Sequence, residues 1–267
     1  MWIENKKIQW INIRDRAVQF GDGCFTTAAV INGNVRQITA HLTRLKQACN
    51  RLIIKFSDWQ KLETEMKLTA AYHNKAVLKV IISRGIGAYG YSPSKCNETT
   101  CILSLLPFPS YTNLRDQGVK LVLSPVKLAR NPLLAGIKHL NRLEQVMISS
   151  YIDLHDDADE ALVLDTQGKV IECCTANIFW RTGNDIFTTC LANAGVDGTM
   201  RRFLLNEMEH LGKICKIVSV EIESLISADE IIICNALMPI LPVIKLEDRI
   251  YDSRELFNLL VDICKKA

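Results

Sequence analysis

Lys138 is the residue of this sequence best suited to act as a nucleophile or a base. It follows the apolar residues 133–137, Leu-Leu-Ala-Gly-Ile. Apolar surroundings disfavour the charged form of an amine, so such a lysine loses its proton more easily. A neutral amine can attack an aldehyde and form a Schiff base. From this segment alone, a lysine whose ammonium reaches solvent from a helix start stays an open alternative.

Glu172 is a second candidate, at the end of the apolar run that contains Val170 and Ile171. A carboxylate in a partly buried position needs a cationic partner. A protonated pyridine nitrogen is such a partner, and a cationic ring accepts electrons from a carbanion. A glutamate in water at a strand end would explain the same pattern.

Two further features could bind a phosphate. Residues 195–198, Gly-Val-Asp-Gly, lead into a predicted helix at Thr199 and Met200. Free N–H groups at a helix start bind anions, helped by the helix dipole. Arg44 could direct two hydrogen bonds to one phosphate. The alternatives are an ordinary loop–helix junction with a capping threonine, and a solvated arginine on an amphipathic helix.

The strands and helices that the sequence pattern predicts around these residues indicate an α+β fold with two domains, 1–114 and 115–267. Gly and Pro residues between 107 and 118 interrupt the periodicity there, and 84–97 reads as a loop. Alternating or continuous apolar runs predict strands at 8–13, 27–31, 77–83, 101–106, 120–124, 161–165, 170–173, 177–181, 214–220 and 230–235. Helical spacing predicts helices over 40–54 and 140–154, with two more starting near Asp58 and Thr199.

The composition is that of an ordinary globular protein and excludes several classes. Of the 267 residues 48% are hydrophobic and 23% charged, and the formal net charge of +3 does not indicate a nucleic-acid partner. The longest apolar stretch, 231–244, is shorter than the roughly 18 residues of a membrane span. The polar start lacks a signal-peptide core, so we expect a cytoplasmic protein. Ten cysteines without a CxxC pair and five scattered histidines predict reduced thiols and no metal site.

Taken together, these candidates lie in stretches that resemble the fold-type IV pyridoxal-phosphate (PLP) enzymes. The resemblance extends over nearly the whole chain. It is carried by RAVQFGDG at 16–23, HLTRL at 41–45, SRG at 83–85, GIKHLN at 136–141, ECCTANIF at 172–179 and GTMR at 198–201.

This resemblance implies a cofactor and a set of residues that bind it. The fold would be the two-domain, D-amino acid aminotransferase-like one, in a homodimer. Lys138 would be the Schiff-base lysine, and Glu172 would face the pyridine nitrogen. The phosphate would be held by Arg44 and by the N–H groups of Thr199 and Met200. Asn235 and Ala236 would also contact the cofactor.

Within this family the sequence is most similar to the aminodeoxychorismate lyases, through longer stretches at 19–27, 135–145, 172–177 and 234–239. The implied reaction turns 4-amino-4-deoxychorismate into 4-aminobenzoate and pyruvate, a step of folate biosynthesis. Thr26 stands where the family's aminotransferases usually carry a glutamate. The resemblance makes Thr27 and Asn235 candidates for substrate discrimination and Arg84 a candidate ligand of a substrate carboxylate.

Two other functions remain to be distinguished. An aminotransferase for D-amino or branched-chain amino acids would share the cofactor residues and differ in its substrate contacts. A PLP-binding protein without catalysis is the other alternative. The presence of both Lys138 and Glu172 argues against it, since binding alone needs neither a base nor a partner for the ring nitrogen.

Overall fold

The computed structural model describes residues 2–3, 10–87, 90–96 and 98–264. The chain forms two compact units. The first comprises Met1–Pro109 with Ile137–Asn141, and the second comprises Ser110–Gly136 with Arg142–Ala267. The predicted division at 114/115 lies close to the observed one. The main difference is that the segment with Lys138, predicted in the second domain, groups with the first unit.

The first unit is a mixed sheet with helices packed on one face. Its strands are β1 (Trp2–Ile3), β2 (Gly23–Ile31), β3 (Asn34–Val35), β4 (Lys75–Ser83) and β5 (Thr100–Leu106), and its helices are α1 (Arg16–Phe20), α2 (Ile38–Arg51) and α3 (Trp59–Ala70). The strand order is β1-β5-β4-β2-β3. The strands predicted at 27–31, 77–83 and 101–106 are confirmed. The strand predicted at 8–13 is absent over 10–13, and its first two residues lie outside the described ranges.

Strand β2 separates two environments because successive side chains point to opposite faces. Cys24, Ala28 and Val30 belong to a buried cluster that includes Leu42 and Leu45 of α2. Helix α2 contributes the apolar positions that its amphipathic pattern predicts. Phe25 and Thr27, on the other face, are only half-buried.

The segment with Lys138 joins the first unit because it pairs with the start of β2. The backbone N–H of Phe25 donates to the carbonyl of Lys138 at 3.0 Å, and the N–H of Leu140 donates to the carbonyl of Gly23 at 3.0 Å. Cys24 and His139 form an antiparallel bridge. These bonds fix the backbone of Lys138 beside β2.

The second unit is built on a larger sheet. Its strands are β6 (Val119–Leu123), β7 (Glu160–Leu164), β8 (Val170–Cys173), β9 (Asn177–Thr182), β10 (Asp185–Thr189), β11 (Cys215–Val218), β12 (Glu230–Cys234), β13 (Leu241–Leu246) and β14 (Arg249–Ile250). The order is β11-β10-β9-β12-β13-β6-β7-β8, with β14 paired to β13. Its helices are α4 (Thr112–Gln117), α5 (Leu143–Ile152), α6 (Thr199–His210), α7 (Glu223–Ile226) and α8 (Glu255–Cys264).

Both faces of this sheet are buried. Trp180 and Ile231 belong to the cluster on one face, whereas Phe179 and Ile232 pack with α6 and α8 on the other. Helix α6 contributes Met200, Leu204 and Met208, four residues apart, and this stripe orients the helix on the sheet. Across the described ranges, no helix is both long and apolar enough to cross a membrane.

Candidate functional site

Lys138 lies against an aromatic ring of the first unit. Its Nζ is 4.8 Å from the centroid of the Phe25 ring, and its side chain is half-buried. The negative face of an aromatic ring attracts an ammonium group. Because the backbone of Lys138 is bonded to Phe25 as well, this amine has a defined position above the face of the sheet opposite α2.

Arg44 lies on the opposite face of this sheet from Lys138, in the interior between α2 and the strands. Its guanidinium donates to Oγ1 of Thr26, which is 2.6 Å from Nδ1 of His41. All three side chains are buried. Burial, and then the charge of Arg44, lower the pKa of His41 to about 3. The imidazole is therefore neutral near pH 7, and Arg44 is the cation of this cluster.

Arg84 is held at the start of β2 by Asp22. Its Nε donates to Asp22 at 2.8 Å, one terminal nitrogen donates to Asp22 and to the carbonyl of Leu52, and the other donates to the carbonyl of Ile53. Burial alone would raise the pKa of Asp22, but the hydrogen bonds from Arg84 and Arg16 outweigh it and hold that pKa below its usual range. Four of the five N–H donors of Arg84 are thus used inside the protein. Its role as a ligand of a substrate carboxylate stays a prediction.

Glu172 lies on β8 of the second unit, and its carboxylate is buried. Oε2 accepts from the N–H of Val196 at 2.8 Å and from Nδ2 of Asn177 at 3.4 Å. Burial lowers the pKa of Arg142, and the negative charge of Glu172 partly opposes that shift. A buried carboxylate with these partners is held in one orientation and can accept a hydrogen bond from a cationic ring nitrogen.

Asn177 connects Glu172 to the N-terminus of α6. Its Nδ2 also donates to the carbonyl of Val196 at 2.8 Å, and its Oδ1 accepts from the N–H of Gly198 at 3.2 Å. Gly198 is the residue before α6, and a Cβ there would lie 2.2 Å from Oδ1 of Asn177. A side chain at position 198 is therefore incompatible with this arrangement.

The N-terminus of α6 has the features of an anion site. The N–H groups of its first turn, which include Thr199 and Met200, have no acceptor within the helix. The hydroxyl of Thr199 is buried and has no hydrogen-bond partner among the described residues. Arg201 on the same turn bonds Asp197 at 3.0 Å and the carbonyl of Thr189 at 2.9 Å. The donors at this helix start fit a phosphate group.

Asn235 and Ala236 lie in the turn between β12 and β13. Oδ1 of Asn235 accepts from the N–H groups of Leu237 and Met238 at 2.8 and 2.7 Å, and its Nδ2 donates to the carbonyl of Thr175 at 3.1 Å. These contacts give Asn235 a role in holding the turn. The predicted contacts of both residues with a cofactor or substrate stay predictions.

The sequence-predicted residues therefore fall into two sets. Arg44, Thr27, Arg84 and Lys138 belong to the first unit, whereas Glu172, Thr199, Met200, Asn235 and Ala236 belong to the second. Each unit offers groups that fit part of a phosphorylated pyridine aldehyde. The amine of the first unit suits the aldehyde. In the second unit the buried carboxylate suits the ring nitrogen, and the N–H groups at the helix start suit the phosphate. Asn177 and His41 were not singled out from the sequence, because only their hydrogen bonds reveal their positions.

Comparison with known proteins assigns these features to one family. The model of the family "Amino-transferase class IV" matches residues 23–246. An aminodeoxychorismate lyase of Vibrio harveyi is 35% identical over 243 residues, which are 91% of this chain and 89% of the relative. A second such lyase, of Bacillus subtilis, is 27% identical over 90% of this chain and 83% of its own length. The crystal structure of a 4-amino-4-deoxychorismate lyase of Pseudomonas aeruginosa superimposes with a TM-score of 0.91 at 36% identity, covering 96% of this chain and 94% of that one.

Proposed function

The chain belongs to the amino-transferase class IV family, and from this membership we propose that it is the lyase that converts 4-amino-4-deoxychorismate to 4-aminobenzoate and pyruvate. The observation that carries the proposal is the similarity to curated lyases along nearly the whole chain. The cofactor is PLP and the pathway is folate biosynthesis. Thr26, at the position where the aminotransferases usually carry a glutamate, is consistent with a lyase.

The cofactor roles follow from the chemistry of each residue. Lys138 would hold the aldehyde of PLP through its amine, and Glu172 would keep the pyridine nitrogen protonated. The phosphate would be bound by the N–H groups of Thr199 and Met200. The resemblance adds Arg44 as a phosphate ligand, whereas in the structure its guanidinium donates to Thr26 in the interior beneath α2. When bound, PLP supplies an electron-accepting ring that stabilises negative charge on the carbon bearing the substrate amine.

The proton transfers would be performed by Lys138. Its amine would remove the proton from C4, the substrate carbon that bears the amine. The enolpyruvyl oxygen on the adjacent carbon then leaves, and the ring becomes aromatic. Lys138 would also return a proton to the methylene carbon of the departing group, which gives pyruvate. Aromatisation makes the elimination downhill, so the protein mainly has to orient the groups.

We also propose that the enzyme is a cytoplasmic homodimer. All ten cysteines are free thiols, which is typical of proteins of a reducing compartment. The exposed apolar side chains of α5 support a dimer. Asn235 and Ala236 would contact the cofactor, and Thr27, Arg84 and Asn235 would contact the substrate.

A coupled assay tests the activity. The PLP-loaded protein is incubated with chorismate, glutamine and an aminodeoxychorismate synthase, and 4-aminobenzoate is followed by its fluorescence. We expect 4-aminobenzoate and pyruvate in equal amounts. The Lys138→Ala variant should lose both product formation and the visible absorbance of the lysine-bound cofactor. Near-normal rates in that variant would sink the assignment of Lys138.

The same protein would be assayed for transfer of an amino group from D-alanine or leucine to 2-oxoglutarate. Rapid transfer without 4-aminobenzoate formation, despite a verified supply of the intermediate, would reject the lyase and favour the aminotransferase. A protein that binds PLP but is inactive in both assays would support a non-catalytic role.

A further inference from the structure

Lys79 occupies an unusual position for a lysine, in the middle of the central strand of the first sheet. Strand β4 lies between β2 and β5, and the neighbours Leu78 and Val80 are fully buried. Lysine is depleted in strands because a pleated, half-buried surface suits apolar side chains. A half-buried ammonium at this position therefore calls for an explanation.

The neighbours of Lys79 form a polar row across three strands. Thr27 on β2 and Ser104 on β5 are the direct partners of Lys79 in the two antiparallel ladders. Directly paired residues lie on the same face of a sheet. All three side chains are half-buried. This face is opposite the one packed by α2, and it is the face on which Phe25 lies.

Lys79 and Lys138 share one aromatic ring. The Nζ of Lys79 is 5.2 Å from the centroid of Phe25, and the Nζ of Lys138 is 4.8 Å from it. The two nitrogens are thus no farther apart than the sum of these distances. Within the described ranges, no carboxylate lies at ion-pair distance from Lys79. The ring attracts the ammonium but does not neutralise its charge.

From this placement we infer that Lys79 binds a carboxylate of the substrate. The inference rests on the proposed function, because 4-amino-4-deoxychorismate carries two carboxylates and reacts through an amine at Lys138. An ammonium near that amine, on the same sheet face, would pair with one of these carboxylates. The hydroxyls of Thr27 and Ser104 flank it as further donors. Arg84, the carboxylate ligand expected from the sequence, has most of its donors committed to Asp22, Leu52 and Ile53.

The test compares two ligands that differ only in charge. The product 4-aminobenzoate carries a carboxylate, whereas 4-aminobenzamide replaces it by a neutral amide. Their binding to the PLP-loaded protein is measured by calorimetry for the wild type, Lys79→Met and Lys79→Arg. Lys75→Met is the matched control, because Lys75 also lies on β4, with its Nζ 4.7 Å from the Phe108 ring.

We expect Lys79→Met to weaken binding of 4-aminobenzoate about tenfold and to leave 4-aminobenzamide unchanged. Lys79→Arg should retain most of the preference for the charged ligand, and Lys75→Met should change neither affinity. In the coupled assay, Lys79→Met should raise KM more than it lowers kcat. Equal weakening of both ligands, or unchanged affinities together with an unchanged KM, would overturn the inference.

The same experiment separates this inference from the proposed function. A wild-type protein that makes no 4-aminobenzoate from a verified supply of substrate would refute the lyase, and the role of Lys79 with it. An active wild type whose Lys79→Met variant keeps both its KM and its affinity for 4-aminobenzoate would refute the role of Lys79 alone.

Discussion

The chemistry of single residues depends on how their polar atoms are held. Glu172 has one carboxylate oxygen bonded to the N–H of Val196 and to Asn177. Asn177 donates to Glu172 through Nδ2, and its Oδ1 accepts from the N–H of Gly198. A shift of any one of these groups would leave a buried polar atom without its partner, which costs about 1–3 kcal/mol. The orientation of Glu172 is therefore coupled to that of the loop before α6.

Replacing Glu172 by glutamine tests its charge separately from its shape. Glutamine can still accept from the N–H of Val196, but it carries no negative charge to keep a ring nitrogen protonated. We expect Glu172→Gln to retain the visible absorbance of the lysine-bound cofactor and to lose about a hundredfold in lyase turnover. Absorbance spectra and the coupled assay measure both properties.

The matched control for that variant is Glu230→Gln. Glu230 is also a buried strand carboxylate of the second unit, but it accepts from the N–H groups of Leu256 and Phe257 at the start of α8. This variant should lower stability without changing turnover per folded molecule. Equal turnover in Glu172→Gln and Glu230→Gln would contradict the role given to Glu172.

The sequence predicts residue types better than residue contacts. The lysine after an apolar run and the glutamate at a strand end were identified from their neighbours, and the structure gives each a defined position. The assignment of Arg84 and Asn235 to the substrate came from the resemblance. That assignment stays a prediction. In the structure their side chains bond Asp22 and a turn backbone, and no spacing in the sequence reveals these contacts.

At the level of elements, the start of α6 is where we propose that the phosphate binds. A Cβ at position 198 would displace Asn177 and, with it, the loop that precedes the helix. We expect Gly198→Ala to weaken PLP binding about tenfold or more, because charge-assisted contacts to a phosphate would be lost. Titration of the apoprotein with PLP and with pyridoxal, which lacks the phosphate, measures the effect.

Gly212→Ala is the control at the other end of the same helix. Gly212 has φ +68°, and a Cβ there would meet nothing within 4 Å. The variant should cost about 1 kcal/mol of stability through its backbone conformation and keep the preference for PLP over pyridoxal. A Gly198→Ala variant that keeps this preference too would show that the phosphate binds elsewhere.

Packing of α2 on its sheet predicts a dependence of stability on pH. His41 has its pKa lowered to about 3 by burial and by Arg44, whereas an unfolded histidine titrates near pH 6.5. Below pH 6.5 the unfolded chain binds a proton that the folded one does not, so stability is present above that pH and is lost as pH falls. The slope from this group is about 1.4 kcal/mol per pH unit.

Urea unfolding at pH 7 and pH 5 measures this loss in the wild type and in His41→Gln. We expect the wild type to lose about 2 kcal/mol more than the variant between these pH values. His210→Gln, at an exposed position, should behave like the wild type. Parallel pH dependence in the wild type and His41→Gln would mean that His41 does not titrate as its burial indicates.

Most elements with a clear period were predicted, but α8, whose buried residues follow a helical period, and strand β10 were not. The helix at Thr199 and the hairpin of β7 and β8 follow their apolar patterns. Strand β13 contains Pro242, which lacks the N–H that a central strand donates, yet it pairs with β12 and β6. The domain boundary expected over 107–118 contains a short helix, α4. Pro and Gly residues flank this helix and do not interrupt it.

At the level of the whole molecule, α5 carries apolar side chains that are exposed within the described part of the chain. Leu143, Val146 and Met147 are 72%, 58% and 52% exposed. Their spacing of three and four residues places them on one side of the helix. Contiguous exposed apolar side chains mark interaction surfaces. A homodimer with twofold symmetry would bury the same patch of both copies.

We therefore expect a particle of twice the 30.1 kDa chain mass in light scattering after gel filtration. The double variant Val146→Glu/Met147→Glu should shift it toward the monomer, because charges buried at an interface without partners are costly. Ile214→Glu, at an exposed apolar position outside α5, should stay dimeric. A monomeric wild type would refute the homodimer, whereas a dimer unaffected by the double variant would move the interface away from α5.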